Sequence, residues 1–157
     1  MFSAKQEQQR FCKKYNISDK RFRDSRLTWE ELDDIVKDFE QKRDEHQDTV
    51  KKYVDVIREC PYVHSLSFRV KETEHLIEKI IRKNPDYLKK GDSLSKSNYE
   101  SCITDLMGIR ILLLFKPDWI NVHEYLMEQY EDVLIEPPIM RYINLFLRKL
   151  SIAIMKM

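Results

Sequence analysis

Apolar and polar positions divide the chain into segments of different period. Thr28 and Glu31 stand at capping-box spacing just ahead of an apolar run. From Leu32 onward, positions 32, 36, 39, 43, 46, 50, 53 and 57 step alternately by four and three. Leu32, Val36, Phe39, Val50, Tyr53 and Ile57 fill six of those eight places. This spacing predicts one long amphipathic helix, or a helical hairpin broken near Arg43, ending at Cys60-Pro61. His46 has no second ligand beside it at helical spacing and reads as a partly exposed packing residue. Residues 1–27 are polar and basic, with Phe11, Tyr15, Ile17 and Phe22 as apolar anchors. They predict a short helix followed by a loop.

The period then changes. Leu66, Phe68 and Val70 alternate with Ser65, Ser67, Arg69 and Lys71, the period-two pattern of a half-buried strand. Residues 73–83 return to a helical period: Leu76, Ile77, Ile80 and Ile81 form an apolar stripe, with His75, Lys79, Arg82 and Lys83 opposite. Asn84-Pro85 is expected to end this helix. Lys89 to Ser97, with Gly91 and several serines, reads as a mobile linker. Cys102 to Phe115 is the most apolar run and predicts a buried strand from about Gly108. Pro117-Asp118 opens a further helix carrying Trp119, Val122, Leu126 and Tyr130 on one face, and Val133–Ile135 suggests a third strand. Alternating helices and strands indicate an α/β (α+β) domain behind an N-terminal helical extension.

Composition narrows the class. The 157 residues include 28 Lys+Arg against 27 Asp+Glu and only two glycines, Gly91 and Gly108. High charge with scarce glycine and proline disfavours an all-β sandwich or barrel, which needs many tight turns. No apolar leader opens the chain, and no uncharged run approaches the roughly 18–20 residues of a membrane span. Cys12, Cys60 and Cys102 fit neither a disulfide framework nor a zinc site, so a cytoplasmic protein with reduced thiols is expected.

The candidate chemistry lies in the charges around the two predicted strands. Arg69 and Lys71 share one strand face, and the following helix presents Lys79 with Arg82 or Lys83. A strand feeding a basic helix can converge cations on a polyphosphate. Asp105, just before the second strand, offers an oxygen ligand for Mg²⁺, which favours carboxylates combined with substrate phosphates. Arg110 interrupts an otherwise apolar strand, and a buried arginine is costly unless it faces an anion. Spacing alone also allows a plain solvated surface, with Asp105 and Arg110 as a structural ion pair.

Two stretches change that balance. Arg69-Val-Lys71-x-x-x-His75-Leu76-x-x-Lys79 and Ile103-Thr-Asp105-Leu-Met-Gly108-Ile-Arg110-Ile111 together resemble the synthetase domain of the RelA/SpoT family, above all its small stand-alone alarmone synthetases. The resemblance covers roughly residues 28–138. It implies a nucleotidyltransferase-like mixed sheet and pyrophosphate transfer from ATP to the 3′-hydroxyl of GTP or GDP. Arg69, Lys71 and Lys79 would grip the ATP phosphates with Arg82 and Lys83 beside them, Asp105 would bind Mg²⁺, and Arg110 would steady the transferred phosphate. His75 stands where many relatives have serine and is expected to pack on the helix surface.

The chain also departs from the family. The G-Y-x-S-x-H stretch and the E-x-Q-x-R strand that relatives carry on the acceptor side are missing, and no glycine follows Gly108. Residues 1–138 carry a net charge of −3, whereas the apolar tail Ile139–Met157 adds +4 and contains no acid. The change after Glu136-Pro137-Pro138 suggests a truncated or frame-shifted end. The tail reads as a helix covering a shortened sheet, or as a basic amphipathic helix on a membrane surface. Three regions follow: a helical extension (1–60), a partial synthetase-like domain (61–138) and a divergent tail (139–157). The expected function is alarmone metabolism with only the ATP-phosphate half-site present. The alternative is a catalytically degenerate interaction protein using its helical part. Relatives often self-associate, so a homo-oligomer is an expected state, while nucleic-acid binding ranks last because aromatics do not interleave the basic stripe.

Overall fold

The computed structural model describes residues 4–130, 139–143 and 147–154. The element order is α1 (Ala4–Lys14), α2 (Asp19–Asp24), α3 (Trp29–Gln41), α4 (Arg43–Arg58), β1 (Ser65–Val70), α5 (Thr73–Leu88), α6 (Tyr99–Cys102), β2 (Met107–Leu113), α7 (Asp118–Tyr130), β3 (Ile139–Ile143) and β4 (Leu147–Ile154). The fold is α+β with helices at the N-terminal side, as the pattern indicated. Among the described residues no helix is long and apolar enough to cross a membrane. The chain divides into two compact units: Met1–Lys42 with Glu72–Ile103, and Arg43–Lys71 with Thr104–Met157.

The first unit is helical. Thr28 caps α3 through a complete capping box, its Oγ1 accepting from Glu31 N–H at 3.2 Å while Glu31 Oε2 accepts from Thr28 N–H at 2.7 Å. The predicted long helix breaks at Lys42, one residue from the expected Arg43. In α3 the buried set is Leu32, Ile35 and Phe39, with Ile35 in the place expected for Val36. Leu32, Ile35 and Phe39 pack with Leu76, Ile77, Ile80 and Ile81 of α5 in a core that also buries Tyr99 and Ile103.

Two expectations in this unit are corrected. α5 does not end at Asn84-Pro85 but continues to Leu88 with Pro85 inside it. A proline within a helix costs about 3 kcal/mol and disfavours helical geometry at the preceding residue. Here Asn84 is fully buried and anchored, its Nδ2 donating to Ser25 O at 2.7 Å and its Oδ1 accepting from Leu94 N–H at 2.6 Å. Beyond the Lys89 cap the chain turns at Gly91, whose φ of +82° suits glycine, and Asp92 N–H closes back on Tyr87 O at 3.1 Å. The expected mobile linker is an organised loop: Leu94 is 1 % exposed, and Asn98 bonds both Ser93 O and Ser95 N–H.

The second unit places α4 and α7 with a four-stranded sheet of order β1-β2-β4-β3. Every described pairing is antiparallel, where a mixed sheet was expected. In β2, Met107, Ile109, Ile111 and Leu113 are buried while Gly108, Arg110 and Leu112 are not. The strand is therefore covered on one face, against Val50, Val54 and Ile57 of α4, rather than buried on both. His46 lies on this same α4 stripe and is fully buried, not partly exposed. α7 carries Val122 and Leu126 into the core as predicted, and Tyr125 Oη donates to Val56 O at 2.9 Å. The tail forms two strands, not a helix. β4 pairs with β2 on one side and β3 on the other, supplying hydrogen bonds to a β2 edge that would otherwise be bare. The third strand expected at Val133–Ile135 lies outside the described residues.

Candidate functional site

The site is built where β1 and β2 run side by side. Arg69 pairs with Gly108 and Ser67 pairs with Arg110. Residues directly opposite in an antiparallel pair point to the same face, so Arg69, Ser67 and Arg110 share the face of the β1–β2 pair opposite the buried one. Gly108 contributes no side chain opposite Arg69. Arg69 and Arg110 are diagonal neighbours, about 7–8 Å apart at their bases. Both are exposed, and among the described residues neither has an ion-pair or hydrogen-bond partner.

Exposure corrects one expectation. Arg110 is not a buried charge, so burial gives no reason for it to face an anion; its argument is position on the open face. It is not the structural partner of Asp105 either. Asp105 pairs with Lys71, whose Nζ lies 3.0 Å from Asp105 Oδ2. Lys71 N–H donates to Leu106 O at 2.7 Å, extending the ladder one residue beyond β1 and bringing the two side chains together. The Lys71 side chain is 9 % exposed and that of Asp105 36 %.

The remaining predicted cations sit on α5, in the first unit. Lys79 is half-buried, Lys83 is exposed, and Arg82 Nε bonds Glu78 Oε1 at 3.2 Å as an i,i+4 surface pair. His75 packs edge-on against Tyr15 of α1, ring centroids 5.7 Å apart, in agreement with the expected packing role. The neighbouring Glu74 accepts from Tyr15 Oη at 2.7 Å and is ion-paired with Lys14.

One polar cluster was missed. Fully buried Tyr99 donates its Oη to Asp38 Oδ2 at 2.8 Å, and Lys42 Nζ binds both Asp38 Oδ2 at 2.7 Å and Glu100 Oε2 at 3.0 Å. Burial first, then the bond to Asp38, pushes the Tyr99 phenol above its ordinary value. Burial of Asp38 would raise its carboxyl, but the Lys42 and Tyr99 hydrogen bonds outweigh it and hold the group low. Tyr99 and Asp38 are separated by 61 positions, and no local pattern signals such a pair.

The metal expectation can be set against these donors. Among the described residues no group of three or more His, Cys, Asp or Glu side chains could enclose a metal ion. Asp105 supplies one carboxylate at the margin of the open face. A single carboxylate suits Mg²⁺, which binds through one or two carboxylates together with nucleotide phosphates and keeps several waters. It does not suit a cage made by protein alone.

The family described as "Region found in RelA / SpoT proteins" matches residues 68–145. That span runs from Phe68 in β1 through β2 and α7 to beyond β3, and includes Arg69, Lys71, Lys79, Arg82, Lys83, Asp105 and Arg110. It continues past Pro138, where the composition changes. No curated protein matches the chain. Residues 68–145 of this chain belong to the RelA/SpoT family.

Proposed function

We propose that the second unit binds the phosphates of ATP with Mg²⁺, as the donor side of pyrophosphate transfer to the 3′-hydroxyl of GTP or GDP. The observation that carries this reading is the Arg69–Arg110 arrangement within a RelA/SpoT region: two exposed guanidinium groups, diagonal on one sheet face and without a partner among the described residues. A guanidinium presents a planar fork of donors that matches phosphate oxygens, and two forks at this separation can hold adjacent phosphates. Lys71 adds a point charge at the end of the same strand. Asp105 would hold Mg²⁺, which when bound neutralises phosphate oxygens. Lys79 enters through the family resemblance and Arg82 and Lys83 through the charge pattern of their helix, and the reading stands on the second-unit residues. These substrates go with a cytoplasmic location.

The acceptor side has no counterpart of the G-Y-x-S-x-H stretch among these residues. The expected outcome is therefore Mg²⁺-dependent ATP binding with little or no alarmone formation by the 157 residues alone. Calorimetric titration with ATP, with and without Mg²⁺, tests the first part. Incubation with labelled ATP and GDP tests the second. No ATP binding in the presence of Mg²⁺ overturns the reading, and robust alarmone formation overturns the half-site version of it.

A further inference from the structure

Ser67 carries no charge and lies one residue ahead of the stretch that matches the RelA/SpoT family. The β1–β2 register nevertheless seats it beside both arginines of the proposed phosphate site. Ser67 stands directly opposite Arg110, with Cβ atoms about 4.5–5.5 Å apart. It also precedes Arg69 by two residues on the same strand face, about 6–7 Å away along β1. Ser67, Arg69, Gly108 and Arg110 are therefore the corners of one quadrilateral on the sheet. Two long cationic side chains occupy one diagonal, and a serine and a glycine occupy the other. Ser67 is exposed, and its hydroxyl has no hydrogen-bond partner among the described residues.

We propose that Ser67 is a further phosphate ligand of this site, its Oγ–H donating to an oxygen of the ATP phosphate that Arg69 and Arg110 hold from either side. The inference rests on the ATP-phosphate reading above and adds a residue to it. A guanidinium stands at the end of a methylene stem, so the two forks bond oxygens on the flanks of a phosphate. A tetrahedral phosphate gripped this way still turns an oxygen toward the strands. Backbone N–H groups of paired strands are aimed within the plane of the sheet, and Gly108 offers no side chain, so neither meets that oxygen. The Ser67 hydroxyl lies at that level and is a donor. Left without one, an oxygen withdrawn from water loses the hydrogen bonds it had there. A neutral donor also adds no third positive charge beside two guanidinium groups that already repel each other. Ser65 shares the strand face but stands opposite Leu112, about 13 Å from Arg69, and has no such place.

Threonine and valine at position 67 test the hydroxyl, because both favour strands and have nearly the same shape. In calorimetric titration with Mg²⁺-ATP, Ser67→Thr should bind within about twofold of the parent chain and Ser67→Val about tenfold more weakly. Ser65→Ala should bind as the parent does. Inorganic tripolyphosphate with Mg²⁺, which has neither base nor ribose, should show the same difference between threonine and valine. Thermal denaturation separates binding from folding, since changes at an exposed serine should leave the midpoint in place. Equal affinities for Ser67→Val and Ser67→Thr overturn the proposal. If Arg69→Ala and Arg110→Ala still weaken binding in that case, the phosphate site itself stands and only Ser67 leaves it. A valine effect seen with ATP but not with tripolyphosphate places the contact away from the phosphates and also overturns it. A parent chain that binds no Mg²⁺-ATP removes the site and this contact together.

Discussion

Lys71 and Asp105 are ion-paired at 3.0 Å across the start of the β1–β2 ladder, and the Lys71 side chain is much the more buried of the two. The asymmetry has a consequence. Asp105→Asn leaves the ammonium of a nine-tenths buried lysine side chain with a neutral acceptor in place of the carboxylate, and should destabilise the fold by about 1–3 kcal/mol. Lys71→Met removes the charge that needs compensation, and Asp105 can turn to water, so its cost should be smaller. Urea denaturation of both variants checks the order. An equal or larger loss in Lys71→Met would show that the pair is held by the carboxylate.

Arg69 and Arg110 are exposed and bind nothing among the described residues, so removing either should leave stability within about 0.5 kcal/mol. Each charge-assisted contact to phosphate should nevertheless matter for ligand. Arg69→Ala and Arg110→Ala are each expected to weaken Mg²⁺-ATP binding roughly tenfold. Calorimetric titration alongside thermal denaturation separates the two effects, and unchanged affinity in both variants would remove the basis of the proposed site.

The cluster around Asp38 predicts a pH profile. Its carboxyl is held below the unfolded value of about 4, so it contributes stability that is present above that pH and is lost as pH falls through the lower folded value. Tyr99 shifts the other way. Its phenol ionises less readily when folded, so its contribution is intact below the unfolded value of about 10 and is lost as pH rises beyond it. Tyr99→Phe should therefore flatten the alkaline loss, and by removing one hydrogen bond should soften the acid one. Urea midpoints measured across pH in both chains check this.

Asn84 holds the Ser25 carbonyl and the Leu94 amide from a fully buried position. Asn84→Ala leaves both without that partner and should cost about 2–3 kcal/mol. Thermal denaturation reads the loss; a change near zero would mean that Pro85 is tolerated in α5 for some other reason.

The legible parts of the fold were those set within a turn or two of the chain. The capping box at Thr28 and Glu31 needs only residues three apart, and the β2 alternation needs only a period of two. A helix break near Arg43 was one of the two readings open, because the apolar stripe loses its apolar members at Arg43 and His46, and the chain breaks one residue earlier, at Lys42. Of the site, the residue types and the two strands that carry them were visible. Their partners were not: Lys71 meets Asp105 across 34 positions, and Tyr99 meets Asp38 across 61.

Misread elements share one cause. Pro85 signals a helix end locally, yet Asn84 is anchored from the residue 25 and residue 94 segments, and those bonds carry the helix through. The tail reads as helix on composition, but a strand position beside β2 offers hydrogen bonds that no local pattern records. Arg110 sits in an apolar run, and only the side on which α4 packs decides that alternate β2 residues stay open. The sequence by itself determined the main helical and extended segments from Thr28 to β2, which charges they carry near the strands, and the family they resemble, because period and spacing are local quantities. The tertiary structure alone decided which face of the sheet stays open, which charges pair and which remain available, because burial and pairing depend on residues far apart in the chain.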